Sequence, residues 1–462
     1  MRNNYLPPIM KSLLKYNFEN FFTGFNSGVD ESVLPLHIAK KIYNFDISDG
    51  TLSDGYGINQ SQSLPAVNNV ANVWNYRFWD EEKNEHRNRL MFSRNDGRVL
   101  FLNDANVFEL LDGVFFVSLP ISVNYRLFGE DVILMMSESD GMFVWNGKDA
   151  AYKVEDAPKI RSLTMHFERM FVTTAGEANS VYFSDDLDPT NWGMELNEGG
   201  FIQFIDEMGS SNKVISFLNH VYIFRDYGIS RITAFGDQTD FSATSLFISS
   251  GKIYGKTPMS CGDRIMFLAS DGLYMFDGLG TIPVAQHLKG IIKKSPYACS
   301  AYHDGKYFLA LNLDIGEDNP QNKNNSLLTI DLKTGLVNVS SGFQIDTLSS
   351  VNDILYAVCN GQLGIIDKSA KFFNISLKKN YETPLVDLGT DDIKTIREFY
   401  IDANIPFELT LYSEKNSRKF KVIPKIGLTR LRMNFRGRKI GFAISTDETG
   451  GRISRPGVRF SF

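Results

Sequence analysis

The chain has 462 residues, 43% of them hydrophobic and 13% aromatic, with a formal charge of −6. That length can bury a large core and hold two or three domains, and the 36 phenylalanines suit the packed faces of sheets. No apolar run approaches the 18 residues of a membrane-spanning helix, and the three cysteines (Cys261, Cys299, Cys359) have neither metal nor redox spacing.

Read from the N-terminus, MRNNYLPPIMKSLLKYNF lacks the continuous apolar core of a signal peptide. Residues 1–44 are expected to form a docking segment, because Phe18, Phe21, Phe22 and Phe25 are too apolar to stay free. Asn44–Ile47 then enters Ser48-Asp49-Gly50, the first clear hairpin signal.

From here a phrase recurs. Gly129 to Gly147 reads GEDVILMMSESDGMFVWNG, and Gly262 to Gly278 reads GDRIMFLASDGLYMFDG. Each is an apolar strand, a Ser, an Asp-Gly turn, an aromatic-rich strand and a second turn. Looser copies of the first strand occur at Arg89–Phe92, Arg169–Val172, His220–Phe224, Lys306–Leu309 and Ile354–Ala357. The units begin near 88, 130, 168, 219, 262, 305 and 353, a period of roughly 44 residues that matches a four-stranded propeller blade. Asp-Gly or Asn-Gly pairs stand at 49–50, 54–55, 96–97, 112–113, 140–141, 146–147, 271–272, 277–278, 304–305 and 360–361, and such pairs suit tight hairpin turns. The expected architecture is therefore all-β: a β-propeller over 45–380, with six to eight blades of which some are degenerate, and a basic β module over 381–462. An irregular all-β protein built of two sandwiches is the alternative. Gly316–Asn325 reads as an exposed hairpin loop.

After 381 the phrase changes. Ile393–Tyr400, Phe407–Tyr412, Lys419–Ile423, Thr429–Phe435 and Lys439–Ser445 alternate as strands, and Val458–Phe462 ends the chain. Residues 415–462 hold 13 Lys or Arg against Asp447 and Glu448, a charge of +11 that leaves −17 on the rest of the chain. Such a split points to a basic face that meets something acidic. Arg430, Arg432, Arg436, Arg438 and Lys439 interleave with apolar residues, so period-two alternation puts the charges on one face. These five are the expected interface residues.

Signals for catalysis are missing. There is no phosphate-binding loop, no dinucleotide fingerprint, no nucleophile elbow and no HExxH, and the six histidines are scattered. Carboxylates are plentiful, but nothing selects a pair, and many sit in Asp-Gly turns with a backbone role. No catalytic, cofactor-binding or metal residue is assigned, and the chain is expected not to be an enzyme. The cysteines are expected to be buried apolar residues of a protein made in a reducing cytoplasm. Val181–Trp192 resembles the Asp-box of sialidases imperfectly, since Asp188 stands where glycine belongs and Trp192 falls one place late.

The same segment, Tyr182-Phe183-Ser184-Asp185 followed by Asp188-Pro189-Thr190-Asn191-Trp192, is similar to a phrase common in phage tail propellers. Asn44–Ile47 with Gly50-Thr51-Leu52, Phe224–Ile229, Ser270–Gly278, Phe435–Arg438 and Ile444–Asp447 add to it. Together these phrases resemble the tail-nozzle and packaged-DNA-stabilising β-propeller proteins of short-tailed bacteriophages. The resemblance implies a structural virion protein in a homo-oligomeric ring, commonly sixfold, that extends the DNA channel below the portal and adaptor and helps retain and eject the genome. DNA would pass without sequence recognition, and the basic strands would meet a neighbouring subunit or the DNA itself. Other readings are a carbohydrate- or receptor-binding, sialidase-like propeller, for which four tryptophans are few, and a cellular scaffold propeller.

Overall fold

The computed structural model describes residues 13–18, 24–30, 34, 38–61, 64–65, 67–194, 198–316, 318–425 and 427–462. Two compact units emerge: residues 58–335 with 343–366, and residues 1–57 with 336–342 and 367–462. Among the described residues there is no α-helix, and no helix is long and apolar enough to cross a membrane.

The first unit is a β-propeller of seven antiparallel sheets among the described residues. Blade 1 comprises Val70–Asp80, Glu85–Arg94, Arg98–Leu102 and Phe108–Phe115. Blade 2 comprises Ile121–Leu127, Glu130–Ser137, Gly141–Trp145 and Tyr152–Val154. Ile160–His166, Arg169–Thr174, Ser180–Phe183 and Gly200–Gln203 form blade 3. Blade 4 runs through Ser211–Phe217, His220–Arg225, Gly228–Thr233 and Ser242–Ile248. Blade 5 is Met259–Ser260, Ile265–Ala269, Gly272–Phe276 and Thr281–Val284. Blade 6 starts with Cys299–His303, Lys306–Leu311 and Ser326–Asp331, and blade 7 with Thr347–Val351, Ile354–Cys359 and Gln362–Asp367.

The repeat units of the sequence are the second and third strands of these blades. The second strands of blades 2 to 7 begin at Glu130, Arg169, His220, Ile265, Lys306 and Ile354. They are buried almost throughout, because a middle strand is covered by the blades on either side. A strand covered on both faces must be apolar at every position rather than at alternate ones.

Apolar side chains fill the gaps between blades. Tyr76, Met91, Ile133 and Trp145 join blades 1 and 2, and Leu134, Val144, Met170 and Val172 join blades 2 and 3. The ring closes between its last and first sheets, where Val351, Tyr356 and Val358 share a cluster with Val73 and Phe92. Polar bonds lock the first strands edge to edge. Thr347 Oγ1 donates to the Ala71 carbonyl at 3.0 Å, and the Val214 and Ser216 amides donate to Ser162 Oγ at 3.2 Å and Thr164 Oγ1 at 2.9 Å.

The second unit is a sandwich of two antiparallel sheets. One orders Leu14–Asn17, Ile453–Ser461, Lys394–Ala403 and Leu428–Gly437. The other orders Lys41–Tyr43, Lys379–Glu382, Ile440–Thr446, Phe407–Ser413 and Ser417–Val422. The sheets meet through Phe399 and Phe442, whose ring centroids are 5.4 Å apart, with Ile396, Leu409, Leu411 and Ile444 fully buried around them. The N-terminal segment docks here. Leu14–Asn17 pairs antiparallel with Gly457–Phe460, and Phe18 lies 5.4 Å from Phe442. Phe25 is buried as well, whereas Phe21 and Phe22 lie outside the described residues.

Candidate interaction surface

Period-two alternation in Leu428–Gly437 works as the sequence predicts. Arg430, Arg432 and Arg436 are exposed, while Thr429 and Phe435 are buried. The strand is the edge of its sheet, hydrogen-bonded to Lys394–Ala403 alone. Arg432 sits opposite Glu398, Arg436 opposite Thr395 and Arg430 opposite Tyr400. On the far side of that central strand, Arg459 is opposite Glu398, and Lys15 is opposite Arg459 in turn. The sheet therefore gathers cations from four strands onto one outer face.

Glu398 is the acid at its centre. Its carboxylate lies 3.9 Å from Arg430 Nε and 3.7 Å from Arg459 Nη1, and its side chain is only 15% exposed. One carboxylate shared by two guanidiniums leaves the face net positive. Arg397, on a bulge beside it, donates to Asn434 Oδ1 at 3.1 Å and Ser461 Oγ at 3.4 Å. Tyr400 lies flat across Gly457, where any Cβ would stand 2.2 Å from its ring, and its hydroxyl bonds Asn17 and the Tyr16 carbonyl. Lys15 covers the same ring at 5.6 Å. The aromatic ring thus fastens the N-terminal strand to the basic face. Arg432 and Arg436 make no ion pair with a described residue, so their charge is available to a partner.

Arg438 and Lys439 are placed differently. They form the turn after the edge strand, and their backbone amides donate to the Glu414 carboxylate, Lys439 at 2.5 Å. Burial pushes that carboxyl up, but the bonds it accepts outweigh burial and hold it below its usual range. The structure unites Arg430, Arg432 and Arg436 on the sheet and sets Arg438 and Lys439 at its end. Sequence reasoning missed Lys15, Arg397 and Arg459, although Arg459 stands in the alternating pattern of the last strand.

The other sequence candidates have structural explanations. The Asp-box-like segment is the end of the third strand of blade 3, Val181–Phe183, and the loop that follows it. Asp188 accepts from the Thr190 amide at 2.9 Å, and Trp192 is buried between blades 2 and 3. Asn-rich Gly316–Asn325 joins the second and third strands of blade 6, with Gly316, Asp318, Pro320 and Gln321 exposed and Asn324 buried, its amide bonding the Tyr297 and Ile345 carbonyls. All three cysteines are free and buried, and burial pushes the Cys261 and Cys299 thiols up to about 12. Among the described residues no three His, Cys, Asp or Glu side chains gather as a metal site. A groove of about 680 Å³ runs along blades 1 and 2, lined by Arg89, Phe101 and Trp145. Its aromatic faces are filled by the Arg89 guanidinium, 5.0 Å from Phe78, 5.3 Å from Phe101 and 5.8 Å from Trp145.

No family model matches this chain, and none of the curated proteins is similar to it. Among solved structures it is similar to BamB from Moraxella catarrhalis, at 10% identity and a TM-score of 0.40, over 67% of this chain and 92% of that one. It is also similar to BBS1N in its complex with ARL6DN, at 10% identity and a TM-score of 0.41, over 68% of this chain and 96% of that one. Strand order and ring closure define the class by themselves: this is an all-β protein whose larger unit is a seven-sheet propeller.

Proposed function

We propose that the chain is a structural virion protein of a bacteriophage tail, assembling through its basic sheet face into a homo-oligomeric ring that extends the DNA channel. The observation that carries this reading is the outer face built on Glu398. It concentrates Arg430, Arg432, Arg436 and Arg459, while the chain outside residues 415–462 carries −17. A molecule with one basic face and an acidic remainder is complementary to its own copies. A heterologous contact of that kind repeats around an axis and closes into a ring when the rotation allows. The phage-tail phrases of the sequence supply the setting, and a rigid propeller suits a part that carries load. DNA passes along the channel without sequence readout, and a strongly cationic lining would retard it, which favours placing these arginines between subunits.

Light scattering on the purified full chain from about 50 to 500 mM salt tests the reading, since contacts between exposed charges weaken as salt screens them. Wild type is expected to form a defined ring at low salt, visible by negative-stain microscopy. Arg432→Glu with Arg436→Glu is expected to leave a folded monomer. A wild type that stays monomeric throughout, or an assembly indifferent to both reversals, would overturn it.

A further inference from the structure

The first turn of each blade joins its innermost strand to the next, so these turns share one face of the ring. Blade 1 has a longer turn, residues 81–84; in the other six the leading residues divide into two groups. In blades 5, 6 and 7 they are Gly262, Asp304 and Asn352, all at positive φ and all of types that tolerate it. In blades 2, 3 and 4 they are Phe128, Phe167 and Leu218, at φ of 49°, 50° and 44°. A bulky side chain in the left-handed region is strained, and strain of this kind persists where something other than stability selects it. The tips are also bare: Phe128 is 83% exposed and Phe167 and Leu218 are each 59% exposed.

They belong to one surface. Phe167 packs against Phe235, which follows the third strand of blade 4, with ring centroids 5.4 Å apart and the planes tilted by 46°. Leu279, 84% exposed, occupies the matching place in blade 5, where the Gly278 carbonyl accepts from Tyr222 of blade 4 at 3.2 Å. Tyr125 of blade 2 donates to the Leu187 carbonyl of blade 3 at 3.0 Å. Glu130, Asp131, Glu168, Asp186, Asp188 and Asp277 stand at the strand ends that meet this face, with Asp186, Asp188 and Glu168 close to Tyr125. Of the cations that reach this face, Arg169 is turned onto the Ser184 and Glu198 carbonyls, Arg264 is paired with Asp263 and Arg231 lies against Tyr222 and His220, which leaves Arg126 and Lys148 at its blade-2 side.

We infer that the turn face of blades 2 to 5 is the acceptor for the basic sheet face of a second copy of this chain, which rests on the ring assembly proposed above. Charge complementarity selects that occupant. The tips would bury against the partner while the acids between them face Arg430, Arg432 and Arg436. Donor and acceptor are different surfaces of one chain, so the contact is heterologous and every copy offers one of each.

Two full-length populations with one added cysteine each, Leu218→Cys and Arg432→Cys, are mixed and treated with a short bismaleimide; the three native thiols are buried. A cross-linked pair is expected in the mixture alone and is expected to fade at high salt. Separately, the triple variant Phe128→Asn, Phe167→Asn, Leu218→Asn is expected to stay folded and to associate at least about tenfold more weakly. If that variant associates like wild type and the cross-link is absent while Arg432→Glu/Arg436→Glu still dissociates the assembly, the acceptor lies elsewhere and the ring reading stands. If the charge reversals also change nothing, both fall.

Discussion

Replacing Phe128 by asparagine should make the propeller more stable, although it removes a large apolar side chain. Phe128 and Gly129 form the two-residue turn between the first two strands of blade 2, with φ of 49° and 89°. The left-handed conformation costs an L-residue with a Cβ roughly 1–2 kcal/mol, and asparagine pays least of the non-glycine residues because its short side chain bonds locally. The change also creates Asn-Gly, the preferred pair for such a hairpin. Against this, the ring gives up the 17% of its surface that is covered, and at ~1.5–3 kcal/mol for full burial that is about 0.3–0.5 kcal/mol. The net gain is about 0.5–1.5 kcal/mol. An unfolding entropy of ~2.1 cal/mol/K per residue over roughly 300 residues makes each kcal/mol worth about 1–2 °C in Tm. Calorimetry on the monomer at high salt reads this directly. Leu218→Asn should add a similar gain, and Phe167→Asn a smaller one because its ring rests on Phe235 and His166. The reverse change, Asn352→Phe at the same turn position in blade 7 with φ of 48°, should lower Tm by a comparable amount. If Phe128→Asn lowers Tm by more than about 1 °C, the tips are not strained and their choice needs no partner to explain it.

Ring closure and pH give two further tests. Phe92→Ala should cost about 3–5 kcal/mol, since its ring is fully buried where blade 1 meets blade 7; combined with Val358→Ala from the opposite blade it should show a coupling of about 0.5 kcal/mol or more in urea melts, and strict additivity would mean the ring is open there. His166 is buried beneath Phe167 with Nδ1 2.9 Å from Ser216 Oγ, and burial, with His220 nearby, holds its pKa below the ordinary value. A histidine favoured neutral in the folded state contributes fully above its unfolded pKa of about 6.5, and the unfolded chain binds the extra proton below it. Stability should therefore fall as pH drops below about 6.5 and less steeply in His166→Gln; identical slopes in the two proteins would remove His166 from the account.

The propeller was legible because its middle strands leave no choice of residue. A run such as Val132–Met136 is apolar at every position, and recurs wherever a second strand is sandwiched between neighbouring blades. The outermost strands were not legible. Tyr152–Val154 and Ser242–Ile248 face solvent and carry no pattern a burial argument can find. Asp-Gly and Asn-Gly pairs located the tight turns at 96–97, 140–141, 271–272 and 360–361, whose glycines all have positive φ. The same search passed over Phe128-Gly129 and Leu218-Asn219, since their first residues break the rule that defines the signal. Arg430, Arg432 and Arg436 could be read from alternation within one strand. Arg459 and Lys15 join them only through strand pairing across the sheet, between segments some 440 residues apart in the chain, and no local pattern encodes a register of that range.

In the proposed ring the two surfaces would divide the work of association along physical lines. Exposed guanidiniums on a flat sheet act at a distance. They steer the approach of an acidic partner and fix its orientation, but each exposed pair adds little once screened. Apolar tips act only in contact, through the area they remove from water, and so govern how long a complex lasts. A ring held by charge alone would loosen with every rise in salt. One held by bare phenylalanines alone would associate without orientation. In the proposed contact the acids share a face with the tips, so an approach that satisfied Arg432 and Arg436 would also bring Phe128, Phe167 and Leu218 against a surface. The turns that carry them are anchored in a closed wheel, where neighbouring first strands are bonded edge to edge by Ser162, Thr164 and Thr347. That anchoring lets strained, exposed side chains hold their position without a partner, and under the proposed assembly their strain would be a stability cost in the free protein that association gives a reason to retain.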